Sequence, residues 1–566
     1  MTDEWDLGPV AELPEEGPCL KKAPNGERLA CIRRKDGTID VIADACPHEG
    51  YPLSQGIVRD GVLTCKWHNW KFDLASGACV FGGEPARRYP ARADADGNLR
   101  VDGTLDEAAE KARIATSLRA GLFDADVARC TRDALRLAKL AGEQGLAAPF
   151  EVILGDALAR GRYGFSHAAA SAIDVWTWVR RGWLPAEQGL VAALTLVAEP
   201  LQFLPVRAHP EPVSSEWEDA RDVSEMLATE QREEAEGRAR FLGAIDAERA
   251  VKSGIVPFVR RALYDYGHGA IYTGKALEIA RAFPSLGADA VGALTSMLSW
   301  ATSETALPTW SATREAIARC TMIDRAGTSP LDAQARATYE VQVLAGEREA
   351  VHATLELMAR GADVAGVLRA IGHAAAVRLG RFDLSWTRRD DTTIDYLDVT
   401  HAVTCARAMQ ELWALDPRAE NAPLALVCAS FVGKLKKADD PNVPPPDAFV
   451  GDARAARIVD AVRAREPARA RAMVARIDRA TRLEAYRGLA PFAAFEAAVR
   501  PILLSHTVKT TEALYRMEID DPREASGYLD ALVRYLATPV PERVFARTAS
   551  IAQKFLDDGR PPEGLY

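Results

Sequence analysis

The hydrophobic pattern of this chain changes period once, near Leu105, and that change bounds what it can fold into. Before it, LACIRR, TIDVIAD, GVLTCK and NLRVDG alternate apolar and polar residues. They are separated by Asn25-Gly26, Asp36-Gly37, Asp60-Gly61 and Asp96-Gly97, pairs that suit hairpin turns. After it, alanine and leucine become frequent and apolar residues recur at three- and four-residue spacing, the period of a helix. The pattern predicts a multidomain chain: a small all-β domain over residues 1–104, then a large all-α, repeat-like domain over residues 105–566. A chain of 566 residues has room for two sizeable cores.

The β-region carries two short strings, Cys46-Pro47-His48 and Cys65-Lys66-Trp67-His68, with 16 residues between His48 and Cys65. Two thiols and two imidazoles in this pattern are the ligand set of a Rieske-type [2Fe-2S] cluster, in which two imidazoles replace thiolates on one iron and raise the potential. Zinc also binds Cys2His2 sets, but zinc fingers pair Cys with Cys and His with His along the chain. The flanking sequences CPHEGYPLSQG and CKWHNWKFDLASGAC resemble the cluster loops of Rieske ferredoxins and of the N-terminal domains of Rieske oxygenases. The resemblance implies that Cys46 and Cys65 hold the inner iron and that His48 and His68 hold the outer, electron-exchanging iron. High-potential members add a loop disulfide and place Ser and Tyr shortly after the second His, as donors to the sulfurs. Here those positions are Trp70 and Phe72, and Pro47 and Glu49 stand where an extra loop Cys would be sought. Fewer donors imply a potential toward the lower end of the range. Cys79 reads as a packed thiol.

The helical region does not look like an oxygenase catalytic domain, which would bring iron ligands as His-x4-His; no such spacing occurs. It has its own recurring feature. FSHAAASAI, YGHGAIYTG, IGHAAAVRL, VTHAVTCAR and LSHTVKTTE place His167, His268, His373, His401 and His506 before small residues on a helical pattern. His268 to His373 and His401 to His506 each span 105 positions, and His167 to His268 spans 101. Pro185, Pro284 and Pro417 follow at similar distances, each ahead of an apolar helix. These features predict an internal helical repeat that brings several imidazoles to one place. Imidazole suits iron, copper, nickel and zinc. The five histidines are the candidate ligands of a second metal, with non-haem iron favoured and His268 and His401 the candidate catalytic pair. The competing reading makes them buried, neutral packing residues bonded to carbonyls. Glu278, Asp383 and Glu411, each ten residues past a His, lie about 15 Å along a helix from it, too far to share its ion. Trp176, Trp178, Trp183, Trp300 and Trp310 read as core. His209 and His352 lack the shared context.

The string GHGAIYTGKALE resembles a His-led helix motif of questin-oxidase-like proteins, which implies oxidative chemistry on aromatic polyketides. A formal charge of −10 argues against nucleic acid or an anionic membrane as partner. The N-terminus MTDEWDLGPV has no signal-peptide pattern and no apolar run reaches 18 residues, so a cytoplasmic location is expected. No Gly-x-Gly-x-x-Gly follows a strand, so electrons are expected from an external reductase or ferredoxin. The expected function is a Rieske-cluster oxidoreductase relaying single electrons to a metal or small-molecule site in the helical domain. The alternative is a non-catalytic electron carrier or redox sensor on a partner-docking scaffold.

Overall fold

The alternating segments form short strands, and the turn pairs between them do the turning. Gly26, Gly37, Gly61 and Gly97 all adopt left-handed φ between 76° and 88°, which a β-carbon would oppose. The computed structural model describes residues 4–564 except 105, 143–144, 302–309, 321–326, 441, 445, 447, 522, 524–526 and 542. Leu105, where the sequence pattern changes, therefore lies outside the described residues. The strands are β1 (Glu4–Pro9), β2 (Pro18–Lys22), β3 (Arg28–Arg33), β4 (Ile39–Ala43), β5 (Ile57–Arg59), β6 (Val62–Thr64), β7 (Lys71–Asp73), β8 (Cys79–Phe81), β9 (Arg88–Tyr89), β10 (Ala91–Ala93) and β11 (Asn98–Asp102). They pair antiparallel in three sheets, ordered β1-β11-β10, β2-β3-β4-β9 and β5-β6-β7-β8. Leu53, Leu63, Phe72 and Leu74 are fully buried beneath the loops that follow β4 and β6, together with Cys46 and Cys65.

Two helices continue this unit: α1 (Glu107–Asp124), as far as Gly121, and α2 (Val127–Leu140). Asp126 starts α2 by accepting a hydrogen bond from the Arg129 amide at 3.0 Å. Cys130, Ala134 and Leu137 form its buried stripe. The secondary structure thus changes where the sequence pattern changes, but the compact first unit runs on to Pro149.

The second unit spans Phe150–Tyr566 together with Leu122–Ala125, and it is helical. The apolar helices expected after the prolines form over Ala186–Ala198, Gly287–Trp300 and Pro423–Lys434 and are mostly buried. At its centre four helices pack in a ring: His167–Arg180, His268–Ala282, Tyr396–Leu415 and Pro501–Asp520. They run in the same direction. His167 and Asp174 on one helix meet His268 and Lys275 on the next, His268 and Gly274 lie against His401 and Glu411, and His401 and Glu411 meet His506 and Arg516, each time in the same order. Parallel neighbours need a return segment between them, which is why these histidines recur at spacings of a hundred residues or more. No helix among the described residues is long and apolar enough to cross a membrane.

Candidate metal centres

In the first unit the two loops have the same construction. The Cys46 amide donates to the Tyr51 carbonyl and the Cys65 amide to the Trp70 carbonyl, each five residues on and each at 2.8 Å. Four residues after each cysteine the chain turns left-handed, at Gly50 (φ 77°) and Asn69 (φ 60°), and the amide there donates back to the cysteine carbonyl. Glycine and asparagine are the residues that tolerate this conformation. Each loop thereby buries its thiol and leaves its imidazole toward the rim. Cys46 and Cys65 are 3% and 1% exposed, while His68 is exposed and His48 half-buried.

The two Nδ1 atoms of His48 and His68 face each other at 3.1 Å, with the rings edge to face. Burial pushes the Cys46 thiol up to about 12, with the neighbouring Cys65 adding to the effect. Two paired buried sulfurs and two converging Nδ1 atoms fit a two-iron cluster bridging thiolates and imidazoles. Trp70 stacks on His48 at 4.7 Å, and Tyr51 stacks on Trp67 at 4.3 Å. Trp70 and Phe72 occupy the positions where hydroxyl donors were sought and supply none. Cys79 is half-buried and its thiol is raised by burial.

In the second unit four of the five recurring histidines come together. His167 and His268 are the first residues of their helices, whereas His401 and His506 are the sixth of theirs. Their Nε2 atoms form a chain: His401 to His268 at 2.9 Å, His268 to His167 at 3.2 Å, and His167 to His506 at 3.0 Å. One ligand atom from each of His167, His268 and His401 lies within 4.8 Å of the others. Small neighbours allow this approach, with Ser171 and Ser505 hydroxyls 3.1 Å apart.

The other ring nitrogen fixes the tautomer of His268. His268 Nδ1 lies 3.0 Å from an Asp265 carboxylate oxygen, and this hydrogen bond holds the Asp265 carboxyl below its ordinary range. A carboxylate only accepts, so Nδ1 carries the proton. The ring of His401 meets the Leu397 carbonyl, another acceptor, while its Nε2 faces His268. The Thr400 hydroxyl, a partner that can donate or accept, lies 3.0 Å from both the Leu397 carbonyl and His506 Nδ1. The His268 Nε2 atom thus presents a lone pair inward. His167 Nδ1 meets the Tyr272 hydroxyl at 2.8 Å, a partner that can donate or accept. Burial, joined by the charge of Lys509, moves His167, His401 and His506 well below the usual imidazole range. His268 is also lowered by burial, with Asp265 partly offsetting it. Protonation is therefore costly at these nitrogens, and a cation bound by neutral imidazoles is the alternative.

The approach to His268 is strained. Asp265, Tyr266 and Gly267 are all left-handed, at φ 45°, 54° and 89°. Two consecutive non-glycine residues in that region cost on the order of 1–3 kcal/mol each, and here they deliver the Asp265 carboxylate to the ring.

Below the histidines lies a buried ionic network. Lys275 pairs with Asp174 at 2.5 Å and Glu278 at 3.1 Å, while Arg516 pairs with Glu278, Glu411 and Glu512 at 2.5 to 3.0 Å. Glu512 also accepts from the Trp178 indole at 2.9 Å and from Arg181 at 2.7 Å. Lys509, one turn past His506, is 1% exposed and its Nζ has no hydrogen-bond partner among the described residues. It borders a cavity of about 20 Å³ lined also by Thr404, Glu411, Glu512 and Arg516, room for one water. Burial pushes the Lys509 amine down to about 7 and the Asp174 carboxyl up to about 7.

The fifth histidine stands elsewhere. His373, on Val364–Arg381, bonds Glu340 through Nδ1 at 2.9 Å and sets its ring edge-on to Tyr528. Expected as a ligand with the other four, His373 instead has its ring engaged by Glu340, which Arg336 and Arg523 hold in turn. Glu278 and Glu411 belong to the ionic network, whereas Asp383 caps a short 3-10 helix through the Ser385 amide. His209 pairs with Glu236, and His352 is exposed. Trp178 and Trp310 are buried, but Trp300 is 55% exposed under Arg232. Sequence reasoning missed Asp265, Tyr272, Thr400 and Lys509. Asp265 and Lys509 lie three residues from a recurring His, within reach of a helical-spacing search, but Tyr272 and Thr400 act on histidines of other helices.

Residues 4–90 match the family description "Rieske [2Fe-2S] domain". The chain is 33% identical over 102 residues to the anthranilate 1,2-dioxygenase ferredoxin subunit of Burkholderia cepacia, covering 18% of this chain and 92% of that protein. It is 42% identical over 76 residues to the oxygenase component of dicamba O-demethylase from Stenotrophomonas maltophilia, covering 12% and 21%. It is 44% identical over 55 residues to the 4beta-methylsterol monooxygenase of Methylococcus capsulatus, covering 10% and 15%. The chain thus spans about a fifth or less of the two oxygenases.

Proposed function

Because its N-terminal domain makes this chain a member of the Rieske [2Fe-2S] family, we propose that it is an oxidoreductase whose cluster passes single electrons to a second metal in the helical unit. Cys46 and Cys65 hold the cluster through thiolates and His48 and His68 through Nδ1. When bound, the cluster supplies one-electron transfer at a potential set by its mixed ligands. His167, His268, His401 and His506 hold the second ion through Nε2, with iron favoured and His268 and His401 its central pair.

The observation that carries this reading is the convergence of four Nε2 atoms, with His268 and His401 facing at 2.9 Å and the Nδ1 proton of His268 held by Asp265. Imidazole nitrogens brought together in this way would hold a cation as a shared ligand set. Asp265, the Leu397 carbonyl and Thr400 orient the rings in the way that partners of metal-bound histidines do. Tyr272 holds His167 from the far side. Lys509 Nζ stores or releases a proton beside the site, and the cavity it borders has room for a water to carry that proton toward Glu512 and Glu411.

The reaction proposed is an oxygen-dependent oxidation of an apolar or aromatic small molecule, with electrons supplied by an external reductase or ferredoxin. Metal analysis tests the reading. Two irons matching two labile sulfides fill the cluster, and a further metal ion per chain is expected. His268→Ala with His401→Ala should remove that surplus and leave the cluster spectrum unchanged. Absence of any surplus metal in protein purified with a full cluster sinks the proposal.

A further inference from the structure

A helix backs the cluster loops within the first unit. On α2, Arg132 and Arg136 lie one turn apart on the same face. Arg136 Nη2 donates to the carbonyl of Pro47, the residue between Cys46 and His48. The Arg132 guanidinium sits 5.7 Å from the centre of the Trp70 ring, which also stacks on His48. Trp70 is fixed against the chain behind it: a β-carbon at Gly82 would come within 2.4 Å of the indole.

The counter-charges lie behind the arginines. Glu84 is 2.7 Å from Arg132 and 3.6 Å from Arg136, only 1% exposed, and its Oε2 has no hydrogen-bond partner among the described residues. Asp133 pairs with Arg136 at 3.1 Å and is 2% exposed. The four charges sum to zero, but they are ordered, with guanidinium groups at the loop and its indole and carboxylates further in. Partly buried charges are weakly screened, so this order persists as a field at the ligands. Adding an electron to the cluster is favoured by a nearby positive charge and opposed by a negative one. The hydroxyl donors that raise the potential in other loops are missing here at Trp70 and Phe72.

We propose that Arg136 and Glu84 are positioning residues with opposite effects on the cluster's reduction potential, Arg136 raising it and Glu84 lowering it. On this view α2 is part of the electron-carrying centre and not a linker. The proposal does not depend on the second metal, so it stands or falls apart from the helical site.

Redox titration of the full chain, followed by visible absorbance and EPR of the cluster, tests it. Arg136→Met should lower the potential and Glu84→Gln should raise it, each by about a tenfold change in the reduction equilibrium, equal to about 59 mV for one electron. Arg136→Lys should retain most of the wild-type value. Unmoved potentials, or shifts of both variants in one direction, overturn the proposal, because loosening of the loop alone gives no opposed signs. If Arg136→Met fails to hold its cluster, the near-isosteric Glu84→Gln decides alone, and a potential that falls or stays put rejects the idea.

Discussion

His268 and His401 approach Nε2 to Nε2 at 2.9 Å across two helices 133 positions apart in sequence, and the Nδ1 proton of His268 is held by Asp265. The contact is intelligible as two arms of a ligand set. Divalent iron or zinc added to metal-stripped protein should therefore raise the melting temperature by mass action, about 2.7 kcal/mol at a hundredfold excess over Kd. Calorimetry of wild type against His268→Ala checks this, the variant showing little or no rise.

Asp265 is held to His268 by backbone strain, so its role at the metal should be large for an outer group. Asp265→Ala is expected to weaken binding 10- to 100-fold, the range seen when a partner of a metal-bound histidine is removed. Competition against a chromophoric chelator measures it. An affinity within twofold of wild type would mean that the left-handed turn serves packing alone.

Lys509 gives the metal-free protein a particular pH dependence. Its amine falls from a usual value near 10.5 to about 7 on folding. Between those values the unfolded chain binds the proton and the folded chain does not, so stability rises with pH across the window and is lost as pH falls to 7. The slope is at most about 1.4 kcal/mol per pH unit. Lys509→Met should flatten it and raise stability most at pH 7 and below, as read by urea denaturation from pH 6 to 10.

His373 provides the internal control. It shares the local sequence of the four clustered histidines, yet its Nδ1 is bound to Glu340. His373→Ala should leave metal content and cluster spectrum unchanged and cost about 1–2 kcal/mol through the loss of a partly buried hydrogen bond to a charged group. Loss of the second metal in this variant would contradict the geometry.

These residues also show what could be read from the sequence. The cluster loops are local objects: each His ligand, Gly50 and the aromatic neighbours all fall within seven residues of a cysteine, so the text of the chain displays them. The convergence of His167, His268, His401 and His506 was legible only through repetition, and repetition could not separate His373, whose fate is decided by Glu340 on another helix. Tyr272 and Thr400 were invisible for the same reason, since each bonds a histidine 105 or 106 positions away. The placement of α2 with the strands was hidden because its amphipathic pattern is that of any surface helix.

The common direction of the four histidine helices has one more effect. In an up-and-down bundle neighbouring helix dipoles cancel, but here all four point the same way and their fields add. The positive ends lie where the His167 and His268 helices begin, and with them the imidazoles. The backbone itself thus works against a bare positive charge at the histidine end, and the Asp265 carboxylate beside His268 is the nearby group whose charge offsets it.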